Sequence, residues 1–186
     1  MSPSLSYEGL PSWSAVGGPR LAHVQRVVAL VTDWADAMSV DRDERARWLR
    51  AAWLHDALRD APVEQLLRLA PDEAGPVELL HGPAAAARAS HEGEPDRGVL
   101  DAVRYHSVGW PGWDMAGVVL YCADFLEPGR RFEPEARAEL ARRFPDQPHE
   151  TLREVARWRL QWLVRSGWAI PEPTWRFWNG LFGPRP

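Results

Sequence analysis

The feature that most constrains this chain is an adjacent histidine and aspartate at the end of an apolar helical stretch. Small or apolar residues, Ala51–Leu54, lead directly into His55 and Asp56. Burying an imidazole and a carboxylate costs several kcal/mol unless each finds a hydrogen-bond partner, an opposite charge or a metal ion. The simplest interpretation is a buried hydrogen bond between the two side chains. The alternative is a metal site, which needs further ligands from elsewhere in the chain.

Length and cysteine content favour a single domain in a reducing compartment. The chain has 186 residues, enough for a full core without a disulfide or zinc. Its one cysteine, Cys122, leaves no disulfide framework. The N-terminus has neither a basic start nor an apolar run, and no stretch approaches the roughly 20 apolar residues of a membrane span. We therefore expect a cytoplasmic protein with no membrane partner.

The charged residues restrict the partners. The formal net charge is −4, and all 22 basic residues are arginine. A negative balance disfavours a general nucleic-acid binder, for which a basic surface is typical. We expect no nucleic-acid partner, and any cationic clamp for phosphate must be built from arginine.

The pattern of apolar residues predicts an all-α fold, because apolar positions recur every three or four residues and no useful stretch alternates with a period of two. Residues 1–18 are rich in Ser, Pro and Gly, and we expect them to form an irregular arm. We expect residues 19–186 to form one domain, with the Trp-rich part 150–186 packing on it. After the first two helices, further helices are expected at about 62–68, 84–89, 96–106, 115–127, 134–143 and 149–166.

The first two helices are predicted to form an antiparallel hairpin. The first runs from Pro19 to about residue 38, and the second runs to about residue 59, with Asp41 and Glu44 as a capping box. The turn near residue 40 is short, so the two helices should lie side by side. At about 1.5 Å per residue, His23 and His55 then fall at nearly the same level.

Asp124 is the second unusual carboxylate, because it lies inside the apolar run 118–126. Together with His23, His55 and Asp56 it completes a set of two histidines and two aspartates that suits a divalent ion such as iron, manganese or zinc. Four protein ligands would leave open positions for water or phosphate. Because the set contains no thiolate, we do not expect a closed structural zinc site. For Asp124 alone, a buried salt bridge or a helix cap is the competing interpretation.

Two further histidines are candidates for a neighbouring role. His106 lies about 5 residues before the turn near residue 111, and Asp124 lies about 13 residues after it. Their heights along two paired helices would therefore differ by about 8 residues, or roughly 12 Å. His106 therefore need not bind the same ion, and it could contact a substrate phosphate or a second metal ion. His81, just before a Gly-Pro break, could do the same. A surface or capping histidine is the alternative for each.

Taken in order, these residues resemble the HD-domain phosphohydrolases. The matching positions are His23, His55-Asp56, His81-Gly82, His106-Ser107 and Ala123-Asp124, with Glu127-Pro128 and Arg130. The contexts of His81 and Asp124 are similar to those of the YqeK-type bacterial enzymes, which are symmetrical diadenosine tetraphosphatases. The resemblance runs from about Arg20 to Arg131 and leaves out the Trp-rich end.

The resemblance implies an HD-domain helical bundle with a metal site between helices. Iron is the first candidate, with manganese or cobalt as alternatives, and the implied ligands are His23, His55, Asp56 and Asp124. The implied catalytic residues are Asp56, His81 and His106. Contacts to phosphate or nucleotide are implied for Arg20, His23, Arg59, His81, His106, Ser107 and Arg130.

The implied activity is metal-dependent cleavage of a dinucleoside polyphosphate, with diadenosine tetraphosphate giving two ADP, and a homodimer is one possible assembly. Arg59 and Ser107 depart from the lysine and threonine that the family tends to have, and arginine is not equivalent to lysine. The alternatives are another HD phosphohydrolase, such as a nucleoside monophosphatase, or a non-catalytic nucleotide-binding HD domain. Trp110 and Trp113 could stack on adenine, although packing in the core is the competing interpretation.

Overall fold

A computed structural model describes residues 9–73 and 75–183, and within these ranges the chain is helical without a β-strand. The all-α prediction is confirmed. The helices are α1 Gly18–Ala37, α2 Arg42–Leu54, α3 Val63–Leu69, α4 His81–His91, α5 Arg97–Tyr105, α6 Met115–Leu126, α7 Pro134–Arg143, α8 Pro148–Ser166 and α9 Glu172–Phe182, with a 3₁₀ turn at Val77–Leu79. No helix in this part of the chain has the length and apolar character that a membrane crossing requires.

The α1–α2 hairpin forms as predicted, with one difference in its cap. Asp41 caps α2 by accepting from the Glu44 amide at 2.8 Å. A capping box would send the Glu44 carboxylate back to the helix start. It instead accepts from Trp48 Nε1 at 2.7 Å and from Arg47 Nη1 at 2.6 Å. These forward contacts tie the first turn of α2 to the next turn of the same helix.

The prediction that α2 runs to about residue 59 is wrong, because the helix ends at Leu54. The arm that precedes α1 provides the physical reason. Ala15 donates to the Ala57 carbonyl at 2.7 Å and accepts from the Asp60 amide at 3.1 Å. A continuing helix would use those two backbone groups internally. His55 and Asp56 therefore lie in a series of tight turns that the arm holds against the bundle.

Helix α6 lies at the centre of the bundle. It contacts α1, α2, α5, α7 and α8. Almost all of its residues are buried, as expected of a helix that is apolar on every side. Its one charged residue, Asp124, is 8% exposed. The central helix therefore brings a carboxylate to the inside of the bundle, beside the α1–α2 hairpin.

The Trp-rich end contains a helix that the sequence pattern does not predict. Helix α9 starts next to prolines, which are tolerated in a first helical turn. Phe177 anchors it, with its ring centroid 5.3 Å from those of Trp113 and Tyr121. Gly109, at φ +90°, leaves room for the Phe177 ring, where a Cβ would lie 2.3 Å from it. The C-terminal helix thus packs beside the loop that follows His106.

The division into an arm and one domain stays a prediction. Residues 1–8 of the arm and 184–186 of the Trp-rich part lie outside the described residues, as does Ala74. Within the described part, residues 9–17 have no regular secondary structure, and α8 and α9 contact each other.

Phe144→Ala is expected to lower the free energy of unfolding by about 3–5 kcal/mol. Phe144 is fully buried and stacks on Trp34 with ring centroids 3.8 Å apart, so the truncation leaves a cavity. Phe132, which is 64% exposed, provides the matched control, and Phe132→Ala should change the value by less than about 0.5 kcal/mol. Equilibrium urea unfolding measures both. Equal effects of the two substitutions would contradict the assigned core.

Candidate metal centre

The histidines of the site have their ring orientation fixed from outside the cluster. In all four of them, Nδ1 lies within hydrogen-bonding distance of an oxygen that can only accept. These contacts are His55 Nδ1 to the Ala52 carbonyl (2.7 Å), His106 Nδ1 to the Val103 carbonyl (2.8 Å), His81 Nδ1 to the Glu78 carbonyl (2.9 Å) and His23 Nδ1 to the Glu127 carboxylate (3.1 Å). Each Nδ1 therefore carries a hydrogen, and each Nε2 faces the interior of the site. Metal-binding histidines in proteins are held in the same way.

The interior nitrogens of His23 and His55 need a positive charge between them. His55 is fully buried, and its Nε2 lies 3.4 Å from His23 Nε2. Two unprotonated nitrogens facing each other at this distance would repel, so that either a proton or a metal cation must be shared between them. Burial opposes a charge on His23, but hydrogen bonds to Asp124 and Glu127 raise its pKa above the ordinary value.

Two groups of potential ligands share one carboxylate. His23, His55 and Asp56 form the first group, and Asp56, His81 and His106 form the second. All five residues are buried, and the ligand atoms within each group lie within 4.8 Å of one another. We name these the first and the second cluster.

Each oxygen of Asp56 faces one of the clusters. Asp56 Oδ2 lies 3.7 Å from both His23 Nε2 and His55 Nε2. Asp56 Oδ1 lies 3.2 Å from His81 Nε2 and 3.7 Å from His106 Nε2. A carboxylate placed in this way could bridge two cations, or it could bind one cation and orient a histidine that contacts substrate.

Asp124 joins the first cluster from the central helix. Its Oδ1 lies 3.1 Å from His23 Nε2 and 2.5 Å from Arg130 Nη2. Its other oxygen, Oδ2, accepts from Arg159 Nη2 at 2.8 Å. Arg159 therefore holds the outer oxygen of the carboxylate, while the inner oxygen stays beside the first cluster.

The electrostatics of the site favour a bound cation. Burial opposes the charge on both aspartates. The neighbouring imidazoles of His55, His106 and His81 nevertheless keep the Asp56 pKa well below its usual range, and Arg130 does so for Asp124. Burial lowers the pKa of His55 to about 4, and it also lowers that of His81. Ionised carboxylates beside neutral imidazoles are the protonation states that a metal ion requires.

One cavity of about 450 Å³ opens onto these clusters. The predicted site residues that line it are Arg20, Asp56, Arg59, His81, His106, Ser107, Asp124 and Arg130. Arg20 Nη1 donates to Asp56 Oδ2 at 3.0 Å, and Ser107 Oγ lies 3.1 Å from His106 Nε2. Arg59 Nη1 donates to the Glu78 carbonyl at 2.7 Å, beside His81. The structure thus brings the predicted metal-binding, catalytic and phosphate-binding residues to the two clusters and the cavity beside them, while their individual roles remain predictions.

Adenine stacking on Trp110 or Trp113 is not supported, because neither residue lines the cavity. Trp110 stacks on Tyr105 with ring centroids 4.4 Å apart. Trp113 Nε1 donates to the Asp101 carbonyl at 3.0 Å, and its ring packs on Tyr121. Packing, the competing interpretation, describes both side chains, and Trp113 packs against the hydrophobic core.

Sequence reasoning missed two contributors to the site. Arg159 lies beyond the resembling stretch, and its place on an amphipathic helix gives no signal that it reaches Asp124. Glu127 is 2% exposed and holds His23 in place. Its own pKa is lowered to about 2, because hydrogen bonds from His23 and Arg26 outweigh burial. Its Glu-Pro context was noted only as part of the resemblance.

The sequence matches the family model for the HD domain over residues 20–144, which is more than half of the chain. The chain therefore belongs to the HD domain family, and the predicted fold, an HD-domain helical bundle, is confirmed. A solved structure from Clostridium acetobutylicum, described as a predicted HD superfamily hydrolase involved in NAD metabolism, has the same fold. The TM-score is 0.79 at 23% identity, covering 91% of this chain and 92% of that one.

Particular relatives are proteins named symmetrical bis(5'-nucleosyl)-tetraphosphatase. The chain is 37% identical to the one from Bacillus subtilis (strain 168) over 90 residues, which cover 44% of this chain and 48% of that protein. It is 43% identical to the one from Staphylococcus aureus (strain NCTC 8325 / PS 47) over 54 residues, or 28% of each chain. The matched regions span about half the length of the first relative and less of the second.

Asp56→Ala is expected to remove bound metal while leaving the helical fold, because Asp56 belongs to both clusters. The chain is large enough to keep its core without an ion. Asp33→Ala, at an exposed position of α1, is the matched control. Metal analysis of the purified variants and far-ultraviolet circular dichroism measure the two effects. Wild-type metal content in Asp56→Ala would place the metal elsewhere.

Arg159→Ala is expected to weaken Mn²⁺ binding by about 10- to 100-fold, the usual cost of losing a group that orients a metal ligand. The substitution frees Asp124 Oδ2, so the carboxylate can turn away from the first cluster. Arg157→Ala is the control, since Arg157 lies on the same helix and pairs with Glu154 at the surface. Calorimetric titration with Mn²⁺ measures the affinities. Unchanged or tighter binding by Arg159→Ala would contradict the orienting role.

Proposed function

We propose that this chain is a metal-dependent phosphohydrolase that cleaves dinucleoside polyphosphates, with diadenosine tetraphosphate converted to two ADP as the first candidate. One observation supports the proposal above the others: a single cavity is lined by Asp56, the carboxylate that the two clusters share, and by four arginines, Arg20, Arg59, Arg130 and Arg159. The names of the relatives agree with this activity, and the HD domain family membership is consistent with it.

The donor set fits a divalent transition metal. Imidazole nitrogens and carboxylate oxygens without a thiolate suit iron, manganese or cobalt, and we propose iron as the first candidate. His23, His55, Asp56 and Asp124 would hold one ion. The second cluster, Asp56 with His81 and His106, would hold either a second ion or a phosphate oxygen.

A divalent ion bound here would lower the pKa of a coordinated water from 15.7 toward about 7, which supplies the nucleophile at neutral pH. The residues of the chain do the remaining work. Asp56 would hold the ion through one oxygen, while its other oxygen lies beside His81. His81, His106 and Ser107 lie on the cavity side of Asp56, where the Ser107 hydroxyl would donate to a phosphate oxygen that the two imidazoles also face. Positioning and charge stabilisation of this kind supply most of the rate in phosphoryl transfer.

The spread of donors favours a long substrate over a monophosphate. Arg20 and Arg130 contact Asp56 and Asp124 respectively, whereas Arg59 lies beside His81. A second cavity of about 410 Å³ adjoins the first and shares Ser107 and other lining residues with it. A ligand can therefore extend to either side of the clusters. A monophosphatase needs its donors at one end of the substrate only.

The same proposal includes a nucleotide as the partner molecule. Absence of a nucleic-acid partner, a homodimeric assembly and a cytoplasmic location remain predictions from the sequence. The alternatives are a nucleoside monophosphatase and a non-catalytic nucleotide-binding domain. Against a non-catalytic role stands the ligand set itself: His23 and His55 lie with Asp56 in one cluster, Asp124 lies beside His23, and none of the four is replaced.

Incubation with diadenosine tetraphosphate and Fe²⁺, Mn²⁺ or Co²⁺ is expected to yield ADP as the sole product, because attack between the middle phosphates divides the substrate equally. Anion-exchange chromatography separates the products, and Asp56→Ala, purified in parallel, controls for contaminating hydrolases. Equal amounts of AMP and ATP would reject symmetrical cleavage while leaving the metal centre intact. No cleavage, but rapid phosphate release from a nucleoside monophosphate, would favour the monophosphatase.

A further inference from the structure

The cavity above the clusters has two chemically different sides. Its floor holds the imidazoles, carboxylates and arginines of the site. Its wall comes from α8, the segment before α9 and the first turn of α9, through Trp162, Leu163, Trp168, Ala169, Pro171 and Thr174. These residues lie outside 20–144, the part of the chain that matches the HD domain family. The wall bears no charged side chain, so it suits the uncharged part of a ligand whose charged part lies on the floor.

Two tryptophans dominate this wall and leave much of their surface uncovered. Trp162 is 58% exposed and Trp168 is 49% exposed. Their ring centroids lie 6.0 Å apart with the planes inclined at 41°, so the indoles adjoin each other. Adjacent exposed aromatic rings at the edge of a polar cavity are typical of a ligand-binding surface.

The backbone after α8 places the two indoles together. Gly167, at φ +69°, ends the helix in the left-handed conformation that favours glycine. The next amide, that of Trp168, donates back to the Leu163 carbonyl at 3.2 Å. This turn returns the chain toward α8, so that Trp168 lies beside Trp162 instead of extending into solvent.

The wall is fixed relative to the metal centre by polar contacts at both of its ends. Arg159 lies one helical turn before Trp162 and bonds Asp124 Oδ2 at 2.8 Å. Its guanidinium lies over the Tyr121 ring, 4.3 Å from the centroid. On the other side, Thr174 Oγ1 donates to the Val108 carbonyl at 2.8 Å, two residues after His106. The indoles therefore have a set distance from the groups that would bind phosphate.

We propose that Trp162 and Trp168 form the binding site for a nucleobase of the substrate, with the polyphosphate on the cavity floor. The inference rests on the proposed function, because it names the residues that would bind a nucleobase of the same substrate. Flat aromatic surfaces next to cationic phosphate donors bind nucleotides by stacking, which every base permits. Because the wall offers stacking and few hydrogen-bonding groups, adenine and guanine should be held to a similar extent.

Calorimetric titration of the Mn²⁺-loaded protein with ADP and with pyrophosphate tests the base site directly. Trp162→Ala and Trp168→Ala are each expected to weaken ADP binding by about tenfold, the usual cost of removing one stacking partner. Pyrophosphate affinity should stay unchanged, since that ligand has no base. Trp162→Phe keeps an aromatic face and should retain most of the ADP affinity. The affinity for GDP should change by a similar factor to the affinity for ADP in every variant.

Trp175→Ala is the matched control. Trp175 is 46% exposed on α9 and does not line the cavity, so its removal should leave both affinities unchanged. ADP binding that is unaffected in Trp162→Ala and Trp168→Ala, or that falls by the same factor as pyrophosphate binding, would overturn the inference. Failure of the proposed function would look different. In that case the wild-type protein would not cleave diadenosine tetraphosphate, although the tryptophan variants would still lose affinity for ADP and keep their affinity for pyrophosphate.

Discussion

The Asp56 carboxylate lies buried among imidazoles, with one oxygen toward His23 and His55 and the other toward His81 and His106. These histidines come from α1, the residue just after α2, the start of α4 and the residue just after α5. An ionised carboxylate in a low-dielectric interior is tolerated only with partners in good geometry. The relative positions of four helices are therefore constrained by one charged group, and the rest of the bundle is arranged around that constraint.

Such a site opposes folding more than it assists it. Replacing buried ion pairs with apolar side chains is often neutral or stabilising, so a buried cluster of carboxylates and imidazoles is weak evidence for a structural role. Here Arg20, Arg130 and Arg159 offset the charge on the two aspartates from the cavity side. A bound cation between the imidazoles and carboxylates would offset the negative charge of the carboxylates further. A role in binding a ligand therefore explains this buried cluster better than a role in stabilising the fold.

The sequence predicts the fold class, the α1–α2 hairpin and the convergence of His23 on His55. The last two follow because the fixed rise per residue of a helix gives the height of each residue along the hairpin. It does not predict the turn after Leu54, since that turn depends on backbone bonds to Ala15, far away in the chain. The role of Arg159 is not predicted either, because its contact with Asp124 is also distant in sequence. Its position in the helical pattern is the same as that of a solvent-exposed arginine. The sequence suggests Trp110 and Trp113 as base contacts only because they follow His106. In the structure neither residue lines the cavity, although both are close to His106 in sequence.

Arg159 and Trp162 lie one turn apart on α8, and this spacing links the two halves of the cavity. Arg159 holds the outer oxygen of Asp124, and Trp162 forms part of the wall. A shift of α8 toward or away from α6 would move the indole and loosen the hold on the carboxylate together. The packing of α8 on α6 through Arg159 and Tyr121 therefore sets both the wall and the orientation of Asp124. The indole of the wall and the guanidinium that orients Asp124 are thus placed by one and the same helix.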